Sequence, residues 1–178
     1  ITFKNNKSDA FEINSSYSAS RTTKHTLFTS KSYKNLSYQL NFLSKDHTGY
    51  RNHSEMKSHN LNAIFSLNSK KGELFQLLFN YINSPISNDA GSLTIDEVNE
   101  DRTIAREKNI LYDAGEDILQ QKTTLKYKKI INPGFLIDNY IFYLSRRFNN
   151  KLPFEIGGQV QFDRNYFGIG GSILKQKK

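Results

Sequence analysis

Apolar side chains recur at every second position in several segments of the chain, which is the spacing of a strand with one apolar face. The clearest example is the segment 72–84, where Gln76 and Asn80 lie on the opposite face. Its apolar positions are Phe75, Leu77, Phe79 and Tyr81. A preceding segment has the same pattern in Leu61, Ala63, Phe65 and Leu67. We therefore expect two neighbouring strands whose apolar sets share one face of a sheet.

The whole chain is predicted to be all-β, an antiparallel up-and-down meander of about eight strands. The predicted strands cover residues 11–18, 24–33, 36–42, 61–68, 72–84, 117–131, 135–148 and 159–174. Gly72 offers the positive φ that a tight turn requires. Asn132, Pro133 and Gly134 predict a second tight turn.

The predicted connections alternate in length along the chain. Those after the second, fourth and sixth strands take about two to four residues, whereas those after the third, fifth and seventh take roughly ten to thirty. Since alternate connections of a meander lie at opposite ends of the strands, every long loop should lie on one rim. This asymmetry is typical of outer-membrane barrels, and a soluble sandwich has no reason to sort its loops in this way.

The longest loop, between the fifth and sixth strands, contains a helix signal. Thr94 and Glu97 have the spacing of a capping box, which predicts a short helix from Ile95 to Arg106. Ile95, Val98 and Ala105 would line one side of that helix. The segments Asp89-Ala90-Gly91 and Asp113-Ala114-Gly115-Glu116 predict turns. Calcium ligation by Asp113, Glu116 and Asp117 is the alternative, but their spacing fits no hard-cation loop.

Charge and composition narrow the classes of partner. The net charge of +8 is dispersed along the 178 residues, which argues against nucleic acid and suits an anionic membrane surface. The densest group is Lys122, Lys126, Lys128 and Lys129, interpreted as a solvated face near a strand end. The chain has no Cys, which excludes disulfides and thiolate metal sites.

The sequence contains no recognisable catalytic set. The His residues lack the i, i+4 helical pairing and the partner Glu of a zinc site. They stand at positions 25, 47, 53 and 59. No nucleophile elbow or phosphate-binding glycine loop is present. We therefore predict no catalytic residue, no metal, no cofactor and no enzymatic activity.

A series of short motifs resembles the TonB-dependent outer-membrane receptors, in particular the branch around the ferric citrate receptor. The order and spacing of these motifs agree with that family from about Phe11 to Gly171. The motifs are Thr48-Gly49-Tyr50-Arg51-Asn52-His53-Ser54, Asn83-Ser84-Pro85, Gly91-Ser92-Leu93-Thr94 through Asp101-Arg102, Tyr112-Asp113-Ala114-Gly115-Glu116, Leu152-Pro153-Phe154 and Phe162-Asp163-Arg164.

The resemblance implies a 22-stranded barrel, plugged by a separate N-terminal domain, in the outer membrane of a Gram-negative bacterium. It implies uptake of an iron chelate, such as a siderophore or ferric citrate, or of a similar scarce nutrient. The partners it implies are that solute, outer-membrane lipid and the TonB complex, which would act through the plug domain. Residues 1–178 would then be a partial barrel domain, with the plug and the remaining strands absent.

The resemblance also implies which residues face lipid and which bind the ligand. The apolar sets of the fourth and fifth strands should face lipid. The loop from Ser84 to Asp117, together with the segment 49–57, should lie on the outer rim and help capture an anionic chelate. Arg51, Arg102 and Arg106 are the candidate ligand-binding residues, because guanidinium groups pair bidentately with carboxylates. In the alternative interpretation, the last two arginines offset the acidic residues at positions 96, 97 and 101.

Two other classes of protein are compatible with the predicted strands. A soluble all-β binding or adhesive domain would require a continuous core between two sheets. An outer-membrane barrel enzyme, such as a lipase or protease, would require a Ser, His and carboxylate set that the sequence does not supply.

Overall fold

The protein forms one eight-stranded antiparallel sheet in which every strand pairs with its neighbours in sequence. The computed structural model describes residues 9–132 and 135–175. The strands are β1 (Ala10–Ser18), β2 (Thr22–Tyr33), β3 (Leu36–His47), β4 (Met56–Asn68), β5 (Glu73–Ser87), β6 (Gly115–Asn132), β7 (Phe135–Lys151) and β8 (Gln159–Lys175). The predicted all-β meander is therefore confirmed.

The register brings the two predicted apolar sets together. The facing pairs are Leu61–Tyr81, Ala63–Phe79, Phe65–Leu77 and Leu67–Phe75. Residues directly opposite each other in an antiparallel pair project to the same side, so these residues share one side of the sheet, which we call the apolar face. On the other side, the polar face, Asn80 donates to Asn62 and Gln76 donates to Ser66.

Several strands extend beyond their predicted ends into polar sequence. β3 continues to His47, and β5 continues through Pro85 to Ser87. The ladder tolerates Pro85 because the register between β4 and β5 shifts between Lys57 and His59. Pro is typically accommodated at such a bulge, where one backbone donor is not needed. The polar strand ends carry no periodic signal, which is why the sequence pattern missed them.

The connections after β2 and β4 are short and lie at one end of the sheet, the turn rim. The long connections after β3, β5 and β7 lie at the other end, the loop rim, together with the short connection 19–21 between β1 and β2. Gly72 has a φ of 77°, so the predicted left-handed turn position is confirmed. Lys34 takes the left-handed position in the turn between β2 and β3, with a φ of 52°. The other predicted turn involves Pro133 and Gly134, which lie outside the described residues.

The sheet is a single layer with almost no core. In the described part of the chain, the buried hydrophobic residues are Ala63, Ala90, Ala105 and Ala114. Large apolar side chains remain open, for example Phe167 at 89% exposure and Ile169 at 83%. Over the same residues, β1 and β8 make no contact with each other, so the sheet is open at both edges.

The long loop contains two short helices, α1 (Ile95–Glu100) and α2 (Glu107–Leu111). The prediction of one helix from Ile95 to Arg106 is therefore wrong beyond Glu100. The Asp101 side chain accepts from the backbone N–H and hydroxyl of Thr103, and this local turn competes with helix continuation. Ala105 consequently lies in an irregular segment, not on the face of α1. None of the helices in residues 9–132 and 135–175 is long and apolar enough to span a membrane.

Candidate functional site

The long loop is the best-packed part of the molecule. Three of the four buried alanines lie in it, at positions 90, 105 and 114. Asn109 in α2 is also buried, with 1% of its surface exposed. The loop folds together with the connection between β3 and β4, and we call residues 48–55 and 88–114 together the loop layer. Its packing shows an ordered structure at the loop rim.

Arg51 ties the two segments of the loop layer together. Its Nε donates to the carbonyl of Ile104 over 3.0 Å, and its Nη1 donates to the carbonyl of Gly91 over 2.7 Å. Its Nη2 donates to the carbonyl of Ala90 over 3.0 Å. These carbonyls lack partners in a regular ladder, so a half-buried guanidinium with several fixed donors suits them well. The guanidinium group of Arg51 is thus occupied by hydrogen bonds to backbone carbonyls.

Asn109 anchors the other side of the loop layer. Its amide nitrogen donates to both the carbonyl and the carboxylate of Asp89. Its Oδ1 faces Gly91, where a Cβ would lie only 2.5 Å away, and Gly91 has a φ of 69°. Both the space and the backbone conformation therefore require glycine at this position. Asp89 also accepts from the N–H of Gly91, so the predicted turn at residues 89–91 is confirmed.

Further hydrogen bonds join the two segments of the loop layer to each other. The N–H of Asn52 donates to the carbonyl of Thr103, and the N–H of Asn88 donates to the carbonyl of Glu55. The His53 Nε2 is 2.8 Å from the carbonyl of Ala114. These bonds hold the two segments together beside the start of β4 and the start of β6.

Three carboxylates of the loop layer are stabilised in their charged form. The backbone N–H of Thr94, and then its hydroxyl, hold the pKa of Glu97 below its ordinary value. This pair is the predicted capping box, which is confirmed. Hydrogen bonds from the side chain and backbone of Thr103 lower the pKa of Asp101. A hydrogen bond from Lys151 lowers the pKa of Asp113.

The three predicted ligand-binding arginines differ in their surroundings. Arg102 and Arg106 are exposed on the loop layer, and their side chains form no hydrogen bond or ion pair with other described residues. The charge of Arg106 contributes to the lowered pKa of Glu97, in line with the alternative interpretation of that residue. Arg51 is half-buried and is bonded to backbone carbonyls. Ligand binding by these arginines stays a prediction.

A cavity of about 300 Å³ lies where the loop layer meets β5 and β6. Its walls carry the carboxylates of Glu55, Asp113, Glu116 and Asp117, and one ammonium group, that of Lys151. This excess of negative charge would repel an anionic ligand. Within the described residues, no group of three His, Cys, Asp or Glu side chains is arranged to hold a metal ion.

The histidines have structural partners. His25, His47 and His59 each lie within hydrogen-bond distance of a hydroxyl on the neighbouring strand, and these hydroxyls belong to Ser15, Thr22 and Ser44. Sequence reasoning missed Asn109 in the loop layer, and it identified Asp89 only as a turn residue, not as the partner of Asn109. No local signal distinguishes Asn109 from the many other polar residues of the loop.

Comparisons with known proteins support the fold. No known family matches the chain, and no curated protein matches it. Among solved structures, the sheet is similar to the ferric citrate transporter FecA in its unliganded form, with a TM-score of 0.66 and 17% sequence identity. The match covers 90% of this chain and 24% of that chain, so the present chain spans about a quarter of the transporter's length. At this identity the likeness shows the fold alone, which is that of part of a FecA-like barrel.

Proposed function

We propose that this chain is part of the barrel of an outer-membrane, TonB-dependent transporter, and that the loop layer captures an anionic metal chelate. The observation that carries the proposal is the single-layer sheet, apolar on one face and hydrogen-bonded through polar side chains on the other. A soluble domain buries an apolar sheet face against a second layer. The described residues supply no such layer, which disfavours the soluble binding domain.

The apolar residues of this face form a continuous band, which is shorter along the strands than the apolar band of an outer-membrane barrel is tall. From Leu61 to Leu67 on β4, and from Phe75 to Tyr81 on β5, its apolar residues alternate without interruption. Six residue steps along a strand correspond to roughly 20 Å. The apolar band of an outer-membrane barrel is about 25 Å tall. Lipid is therefore a suitable partner for this face.

The band also runs obliquely to the paired rungs of the sheet. A rung is a row of residues that pair directly across successive strands. On β3, the last apolar residue of the band toward the loop rim is Phe42, whereas the residue of the same rung on β8 is the polar Asn165. Toward the turn rim, the rung that is polar at Glu73 on β5 is apolar at Ile173 on β8. Both borders are displaced by one rung, about 7 Å. Such a slant is expected where strands are tilted against the membrane normal.

The open edges of the sheet support the proposal that the chain belongs to a larger closed barrel. Exposed backbone donors and acceptors along β1 and β8 could not remain unpaired in a bilayer. Additional strands would pair with them, and a plug domain would face the enclosed polar side and provide the link to the TonB complex. This part of the proposal rests on the resemblance and on the likeness in fold.

In the proposed capture step, Arg102 and Arg106 contact the anionic chelate and Arg51 positions the loop layer that presents them. Neither exposed guanidinium group forms an ion pair with a carboxylate of the described residues, so both retain their bidentate donors. Ferric citrate is the chelate to test first, because it is the solute of the transporter with the similar fold.

The test uses cells that display the protein and measures the binding of radiolabelled ferric citrate. Arg102→Gln combined with Arg106→Gln should weaken binding by about 100-fold or more, since the loss of one charged hydrogen bond from each arginine costs about 1.5–3 kcal/mol. Lys70→Gln combined with Lys71→Gln is the matched control, because it removes the same charge at the turn rim. Unchanged binding by the arginine variant, at normal surface levels, would contradict the proposed capture site.

A further inference from the structure

Charged side chains are paired differently on the two faces of the sheet. On the apolar face, three cations lie directly opposite carboxylates. These pairs are Asp46–Lys57, Glu73–Lys129 and Arg147–Asp163. Opposite charges at such positions stabilise the pairing of the strands, and like charges destabilise it. The apolar face therefore follows the usual rule.

The polar face of β6, β7 and β8 departs from that rule. It carries the cations Lys122, Lys126, Lys128, Arg146 and Arg164. The carboxylate of Asp138 lies within 3.9 Å and 3.0 Å of the ammonium groups at positions 126 and 128. The two arginines lie directly opposite each other across β7 and β8. No carboxylate among the described residues forms an ion pair with either of them.

Aromatic rings hold the two guanidinium groups in place. The Cζ of Arg164 lies 4.1 Å from the centre of the Phe162 ring, and the Cζ of Arg146 lies 5.4 Å from the centre of the Phe148 ring. The two rings contact each other, with their centres 5.2 Å apart. Cation–π contacts of this kind fix the position of a guanidinium group and leave its N–H groups free to bind an anion.

The hydrogen bonds of the pair are incomplete. The Nε of Arg146 is buried and has no hydrogen-bond partner among the described residues. Arg164 donates from Nη1 to the Tyr166 hydroxyl over a long 3.4 Å. A buried charged donor without an acceptor is costly, and an anion would supply the missing acceptors and neutralise two adjacent like charges.

We propose that Arg146 and Arg164 form an anion site on the polar face, for a small solute that carries two or more carboxylates. Two adjacent guanidinium groups can each take one carboxylate of such a solute, which a monocarboxylate cannot match. The site lies on the sheet, below the loop layer and separate from Arg102 and Arg106. Its role as a second station for the captured chelate rests on the proposed function, whereas anion binding itself does not.

The test is calorimetric titration of the purified protein, in detergent micelles at constant ionic strength, with citrate alone. Arg146→Gln combined with Arg164→Gln should raise the citrate Kd by at least about tenfold for each guanidinium removed. Arg147→Gln is the matched control, because the adjacent residue projects to the apolar face and should leave the Kd unchanged. Acetate should bind wild-type protein far more weakly than citrate.

Thermal unfolding with and without citrate provides an independent readout. Citrate should raise the Tm of the wild-type protein and of Arg147→Gln, but not that of the double Gln variant. If the double Gln variant does not fold, Arg146→Lys combined with Arg164→Lys replaces it in both measurements. It retains both charges and should still bind citrate, but more weakly, because an ammonium group lacks the planar fork.

The outcomes separate this inference from the proposed function. Equal citrate affinity in the wild type and the double Gln variant would overturn the anion site. So would an equal loss of affinity in Arg147→Gln, because binding would then follow net charge only. A third outcome is loss of citrate binding in the double Gln variant together with unchanged ferric citrate capture after replacement of Arg102 and Arg106. It would support the anion site on the polar face and refute chelate capture by the two arginines at the loop rim.

Discussion

Replacement of Arg51 by Gln should open the loop layer and leave the sheet folded. The Arg51 side chain forms three hydrogen bonds to backbone carbonyls, with lengths of 2.7–3.0 Å. The single amide group of Gln can retain at most part of this set. The expected change is therefore local, because the strands are held by their own ladders.

The magnitude follows from the bonds that are lost. A hydrogen bond from a charged group contributes about 1.5–3 kcal/mol, and the lower value suits a half-buried side chain. Loss of two such bonds lowers the free energy of opening by about 3 kcal/mol. Since 1.4 kcal/mol corresponds to a factor of about ten, the open population should rise roughly 100-fold.

Native-state hydrogen exchange measures this opening directly. The amide of Arg106 donates to the carbonyl of Ala90, and the amide of Asn52 donates to the carbonyl of Thr103, so both report on the loop layer. Their protection should fall roughly 100-fold in Arg51→Gln, and amides in the middle of β4 should not change. Arg102→Gln is the control, because it removes the same charge from an exposed side chain. Unchanged protection in Arg51→Gln would refute the role of Arg51 as a positioning residue.

Two further predictions concern the sheet and the first helix. Leu77→Lys should cost about 2–4 kcal/mol of folding free energy in lipid bilayers, whereas Gln76→Lys on the polar face should cost little. Denaturant titrations in lipid vesicles measure both, and equal costs would contradict a lipid-facing apolar face. The pKa of Glu97 lies below its ordinary value because the backbone N–H of Thr94 donates to its carboxylate. The capping box should therefore be fully formed at a pH above the ordinary pKa of a Glu side chain, and it should be lost as the pH falls through the lowered pKa. An NMR titration of the Glu97 carboxyl checks this, with Thr94→Ala expected to bring the pKa back toward normal; equal pKa values in both proteins would rule out the cap as the cause.

The predicted site shows where sequence reasoning succeeded and failed. The capping box was predictable because both partners lie within one turn of each other, in Thr94 and Glu97. The end of α1 was not, because Asp101 competes with the helix through a turn that many sequences could form. Arg51 was selected as a charged rim residue, but its backbone partners lie about 40 to 53 positions away in sequence. Local pattern carries no information on contacts of that kind.

The sequence by itself determined the strands, their order and the face of each side chain within a strand. A period of two is a property of the extended backbone, and every residue of a segment such as 61–67 contributes to it. Only the tertiary structure decided which residues meet across strands. Arg146 and Arg147 are adjacent in sequence, yet one faces Arg164 and the other faces Asp163. That difference depends on the register, which long-range pairing of the backbone sets and which changes completely with a slip of one residue.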